Sequence, residues 1–340
     1  MEQLNNAFTI FLSLLVEAMP FLLLGVLLSG LLLLFIDERK LVAAMPRNPI
    51  LGAFVGSCAG FLFPVCECGN VPVARRLLMQ GVPMPVAVGF LLAAPTINPV
   101  VIWSTWVAFR DQPEIVVLRV AFSLLIATIV GCVFSVQSDS RALLQPSVAR
   151  AMPGMAKVDK AEMEDDVPML LQSGTFLLGE KDQPLRMDAT VLQGTLAASP
   201  ASKPLTYKLS LLLENTVQEL RELGGVLVLG SAIAAAVQVF VPRELILSLG
   251  QSPLTSIAAM MLLAGVISIC STVDSFFALS FASTFTSGSL LAFLVFGPMI
   301  DLKGIGLMLS VFRPKAVFYL FALAAQLTFL FTLFINLHVS

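Results

Sequence analysis

From Gly60 to Pro99 the chain reads GFLFPVCECGNVPVARRLLMQGVPMPVAVGFLLAAPTINP, and the reading of this stretch decides the fold. Its apolar sequence is punctuated twice, by Pro64-Val65-Cys66-Glu67-Cys68-Gly69-Asn70 and by Ala94-Pro95-Thr96-Ile97-Asn98. About 204 residues later Gly265 to Lys303 repeats the punctuation, with Cys270 in register with Cys66 and Asp274 with Asn70. With one residue deleted, Gly297-Pro298-Met299-Ile300-Asp301 falls on Ala94 to Asn98. Two similar halves, each with a break in hydrophobic sequence, are the mark of a membrane protein whose polar site lies between repeats.

Working outward, composition agrees. The chain is 57% hydrophobic and 12% charged, where a soluble domain carries about 25% charged residues. Charge is also clustered: 16 of the 42 Asp, Glu, Lys and Arg residues lie between Asp139 and Lys203. Leu77–Phe109, Leu245–Val273, Ser275–Ile300 and the sequence after Lys315 have none. About 20 apolar residues cross the hydrocarbon of a bilayer, so several of these runs are membrane helices. The net charge of −2 and the lack of a basic cluster give no reason to expect a nucleic-acid partner. The partner that composition demands is the lipid bilayer.

The apolar run Ala7–Ile36 exceeds the core of a cleavable signal and reads as a first span, with Glu17 and Pro20 inside it. Arg39, Lys40 and Arg47 follow, which favours an outside N-terminus and a cytoplasmic first loop. Helices are expected at about 8–36, 50–66, 83–109 and 115–137, then at 208–242, 253–271, 289–312 and 315–337. Two segments, Asn70–Gln80 and 275–286, are too short to span and read as re-entrant or surface helices. The expected fold is therefore an all-α polytopic membrane protein of 8–10 transmembrane or re-entrant helices. Residues 1–137 form a first repeat, 138–206 a polar, partly disordered linker with an acidic run at Glu162–Asp166, and 207–340 a second repeat.

The candidate site residues sit at the breaks. Cys66 and Cys68 are spaced so that both thiolates could chelate one soft ion, and Glu67 between them is a charge that a bilayer tolerates only for a purpose. Cys58 and Cys132 lie alone in apolar helices and read as packing residues, and the single histidine, His338, makes a conventional zinc site unexpected. Asp274 stands between two long uncharged runs and is either a transport carboxylate or the cap of the short helix after it. Asn98 and Asp301 follow prolines that free backbone carbonyls, which an adjacent amide could satisfy. Asp301 beside Lys303 also reads as an ordinary loop ion pair. Arg75 and Arg76 read as interfacial charges, with Arg76 a candidate partner for Glu67. The pathway is thus assigned to Cys66, Glu67, Cys68, Asn70 and Asn98 on one side and Cys270, Asp274 and Asp301 on the other. Glu67 and Asp274 are expected to meet as the ionisable couple, with Asp274 in reach of the Cys66–Asn70 turn.

PVCECGNVPVARRLLMQGVPMPVAVGFLLAAPTINPVVI resembles the Cys-x-Cys-Gly region of the predicted permease family that includes the organoarsenical efflux permeases. With an acidic residue between its cysteines it is most similar to the larger subunit of two-component membrane permease complexes. The resemblance is strongest over Gly60–Ile102 and weaker over Gly265–Lys315. It implies a multi-pass permease of the plasma membrane with a smaller membrane subunit as partner. Arsenical-efflux members carry a small residue where this chain has Glu67, which counts against an organoarsenical substrate.

The reading is a non-enzymatic permease for a small solute or ion, without a cofactor. No G-x-x-x-x-G-K-[ST] motif occurs, so a gradient would drive it unless a partner hydrolyses ATP. Two alternatives stay open: a membrane thiol oxidoreductase using Cys66 and Cys68, and an intramembrane aspartyl peptidase using Asp274 and Asp301.

Overall fold

A computed structural model of the chain describes residues 2–35, 45–46, 48–62, 67–136, 140–152, 176–178, 184–186, 205–240, 252–282 and 284–338. Cys66, the basic first loop around Arg39 and Lys40, and the acidic run Glu162–Asp166 lie outside the described residues.

The first half contains α1 (Glu2–Phe35), α2 (Pro49–Ala59), α3 (Glu67–Met79), α4 (Met84–Ile97), α5 (Pro99–Ala108) and α6 (Pro113–Ser135). A short helix α7 (Pro146–Ala151) follows, then a small antiparallel hairpin of β1 (Phe176–Leu178) and β2 (Pro184–Arg186). The second half contains α8 (Leu205–Phe240), α9 (Pro253–Ile267), α10 (Asp274–Leu279), α11 (Ser287–Met299), α12 (Leu302–Leu309) and α13 (Pro314–His338). Proline stands in the first turn of α2, α5, α6, α7 and α9, where its missing N–H costs nothing and its fixed φ favours helix. Ser252 and Thr255 close a reciprocal capping box at the start of α9, and Ser268 ends that helix in the left-handed region at φ 51°.

Among the described residues six helical stretches are long and apolar enough to cross a membrane, and two of them are broken. The expected spans 83–109 and 289–312 each split into two helices, α4–α5 at Asn98 and α11–α12 at Ile300–Asp301. Pro95 and Pro298 lie just before the breaks and remove an i→i−4 hydrogen bond each. α4 and α11 are buried almost throughout and form the core, while the longer α1, α6, α8 and α13 surround them and present apolar side chains outward.

Directions follow from contacts. α1 and α8 run antiparallel: the start of α1 at Asn5–Phe11 lies on Ala232–Ala236, while Gly30 lies on Leu212 and Thr216. α6 and α13 also run antiparallel, with Glu114 and Ile115 beside Ile335 and the rings of Phe122 and Phe331 5.4 Å apart. α3 packs on α12, and α5 packs on α10. Close packing recurs at matching places. A methyl on Gly60 would strike Ala94, and one on Gly297 would meet Ala264; likewise Gly131 lies on Pro85 and Gly288 on Thr332.

The linker region begins as packed structure. Leu144 and Val148 are fully buried, and the Gln145 amide donates to the carbonyls of Leu309 (2.9 Å) and Phe312 (3.2 Å). Ser140–Met152 therefore belongs to the membrane core's edge, contrary to the expectation of a solvated segment from Ser138 onward. The ends of α3, α6 and α12 and the start of α13 share this edge, here called the linker face.

Candidate functional site

Two buried charge clusters lie at the breaks. In the first, Arg119 of α6 grips Asp274 at the start of α10 with both guanidinium arms. Nη2 donates to Oδ2 at 2.6 Å and Nη1 to Oδ1 at 3.2 Å. The same Nη1 reaches the hydroxyls of Thr105 (2.7 Å) on α5 and Ser275 (2.9 Å). Arg119 and Asp274 are 1% and 2% exposed, so the pair is dry, and dry bidentate pairs are the strong ones. A polar crevice of about 240 Å³, lined by Asp111, Gln112, Glu114 and Ser287, opens one turn above Arg119 on the face away from the linker.

In the second cluster Lys303, in the first turn of α12, lies between two carboxylates. Its Nζ is 3.9 Å from Glu67 Oε1 and 3.9 Å from Asp301 Oδ2. Asp301 caps α12, accepting from the Gly304 N–H at 2.6 Å through Oδ1. Glu67 opens α3, whose N-terminal dipole favours a carboxylate there. Glu17 of α1 and Cys68 also act electrostatically on Lys303, and Cys270 acts on Glu67. Glu67, Asp301 and Lys303 are all at most 5% exposed. Beside Asp301 an apolar cavity of about 400 Å³ opens between α9, α11, α12 and α13.

The expected couple of Glu67 and Asp274 does not form. Each carboxylate has its own cation, Lys303 for Glu67 and Arg119 for Asp274, because each break faces a different helix of the opposite half. Among the described residues the Asp274 side chain bonds to Arg119 and Ser275 and not to Asn70, and it is no cap, since α10 starts at Asp274 itself with Val273 before it. Arg75 and Arg76 are buried rather than interfacial; Arg75 pairs with Glu222 of α8 at 3.0 Å. Asp301 and Lys303 are no loop pair but lie at the centre of the molecule. Among the described residues Asp274 and Asp301, the pair of the peptidase alternative, have different partners, Arg119 for the first and the Gly304 N–H and Lys303 for the second. Cys68 and Cys270 are buried, and Cys58 and Cys132 are half-buried in helices. No group of three metal-type side chains converges among the described residues.

Asn70 and Asn98 do structural work. Asn98 Oδ1 accepts from the Val100 N–H at 2.8 Å and so starts α5. Asn70 Nδ2 donates to the Leu91 carbonyl at 2.7 Å, which is the acceptor that Pro95 leaves without a helical partner. Replacing Asn70 by leucine is expected to lower stability by about 1–3 kcal/mol, the cost of an unsatisfied buried carbonyl. Thermal unfolding in detergent reads this directly; an unchanged midpoint would show that Leu91 finds another donor.

The two cations of these clusters escaped the assignment from sequence. Arg119 is the one charge inside the span after Glu114, a position where a charge is functional by default. Lys303 was visible only as a neighbour of Asp301.

A family model described as a predicted permease matches residues 3–337, and the chain belongs to that family. It is 38% identical over 318 residues to the UPF0718 protein YcgR of Bacillus subtilis (strain 168), covering 94% of this chain and 92% of the relative. It is 32% identical over 308 residues to a Streptococcus mutans (serotype c, strain ATCC 700610 / UA159) protein named as a candidate two-component membrane permease complex subunit, covering 91% and 87%. No solved structure matches the chain at a significant level.

Proposed function

We propose that this member of the predicted permease family moves a small solute or ion across the plasma membrane along a path between two inverted halves, residues 1–137 and 207–340, joined by the linker. The observation that carries the reading is the antiparallel packing of helices at equivalent positions, α1 on α8 and α6 on α13. The reciprocal contacts of α3 with α12 and of α5 with α10 support the same relation. Inversion puts α2 and α9 into the membrane from opposite faces, so the starts of α3 and α10 and the two broken spans meet near the middle. Irregular backbone at that depth is tolerated only inside protein or beside a polar path.

Both charge clusters join one half to the other, Arg119 to Asp274 and Lys303 to Glu67. The Arg119 grip closes the path below the crevice at Glu114 and Ser287. Rocking one half against the other opens that closure and seals the linker face. The two-component naming of the Streptococcus relative supports a second, smaller membrane subunit as the working partner.

Proteoliposomes with and without the co-encoded second subunit, screened for flux of small solutes and ions, test this reading. Cysteines at 114 and 287 in a cysteine-free background, bridged across the crevice, are expected to block flux reversibly. Undiminished flux through the bridged protein would exclude rocking about this path.

A further inference from the structure

We propose that Glu67, Asp301 and Lys303 form a binding site for one monovalent cation, with the Lys303 ammonium as its resting occupant. The contrast between the two clusters carries this. Both oxygens of Asp274 are satisfied by Arg119 and Ser275 at hydrogen-bond distance. Among the described residues Glu67 Oε2 and Asp301 Oδ2 have no hydrogen-bond partner, although both residues are at least 95% buried. The 3.9 Å from Lys303 Nζ to each carboxylate is too long for a hydrogen bond, so the ammonium neutralises without coordinating. Buried carboxylate oxygens left in this state are rare and costly, and a cation is the group that completes them.

Charge sets the class. The ion takes the place of the Lys303 ammonium, so a monovalent cation leaves the charge between the two carboxylates as the resting state has it. The other groups facing the site, Glu17 on α1 and the thiols of Cys68 and Cys270, add acceptors and no further positive charge. Glu67 belongs to the first half and Lys303 and Asp301 to the second. An ion that displaces the ammonium therefore replaces a bridge between halves with a different one. The use of that exchange to drive transport rests on the permease reading; the binding itself does not.

The test uses the purified full-length protein in lipid nanodiscs, held in N-methyl-D-glucamine chloride and titrated with sodium, potassium or ammonium chloride. The thermal unfolding midpoint is the readout. In Lys303→Gln the tethered competitor is gone, so one of the three cations is expected to raise the midpoint saturably at a concentration at least about tenfold lower than for the wild type. Adding Glu67→Gln to that variant is expected to abolish the response. A response equal for all three ions and the bulky control, or equal in wild type and Lys303→Gln, overturns the site. So does sensitivity to pH alone. Should Lys303→Gln not fold, wild type and Glu67→Gln carry the test: a saturable response in the first only supports the site, and the same response in both overturns it. Because this measures binding, a protein that binds the cation yet moves no solute would refute the permease reading and leave the site standing.

Discussion

Arg119→Leu is expected to be among the most damaging single substitutions in the chain, lowering stability by about 3–5 kcal/mol. The reason lies less in the bonds lost than in what remains. Asp274 would stay behind as an unpaired carboxylate, 2% exposed, with only the neighbouring Ser275 hydroxyl to hold it. The Thr105 and Ser275 hydroxyls would also lose the donor that now ties α5 to α10. A double variant, Arg119→Leu with Asp274→Leu, removes both charges and should recover most of the loss, since desolvating a pair offsets much of its attraction. Flux should not recover with it if the pair closes the path. Unfolding midpoints of the four proteins of this cycle, with flux measured on those that fold, separate the two roles. A single variant as stable as wild type would mean that water or another cation reaches Asp274.

This pair also marks how far the sequence could be read. The spans and the two short helices were legible because each rests on local chemistry, apolar length and proline position; the splits at Asn98 and Ile300–Asp301 fall inside spans that read as continuous. The charged residues at the breaks were legible as candidates for the same reason. Their partners were not. Arg119 and Asp274 are 155 residues apart, and Arg75 and Glu222 are 147 apart, and no local pattern says which charge meets which. The arginines of α3 looked interfacial because a re-entrant helix carries no sign of the helix that covers it; here α4 and α8 do so. The relative direction of the halves was equally hidden. It rests on which helices of the other half each helix meets, and those contacts are made far along the chain.

Gly25→Ala and Gly225→Ala are expected to move stability in opposite directions, though they add the same methyl group to similar spanning helices. On α1 a Cβ at position 25 would overlap the backbone of Gly69, two residues after Glu67. Backbone cannot rotate away as a side chain can, so α3 must shift as a body. Overpacking of this kind costs about 1–3 kcal/mol. The shift would also lengthen the reach from Glu67 to Lys303, and any cation-dependent rise in the unfolding midpoint should fall with it. On α8 nothing lies within 4 Å of a Cβ at position 225. There alanine only removes the conformational freedom of glycine, a gain of about 1 kcal/mol in helix propensity. If Gly25→Ala left both the midpoint and the cation response intact, α1 would not position the tip of α3. The charge cluster would then owe its geometry to α12 and the Asp301 cap alone.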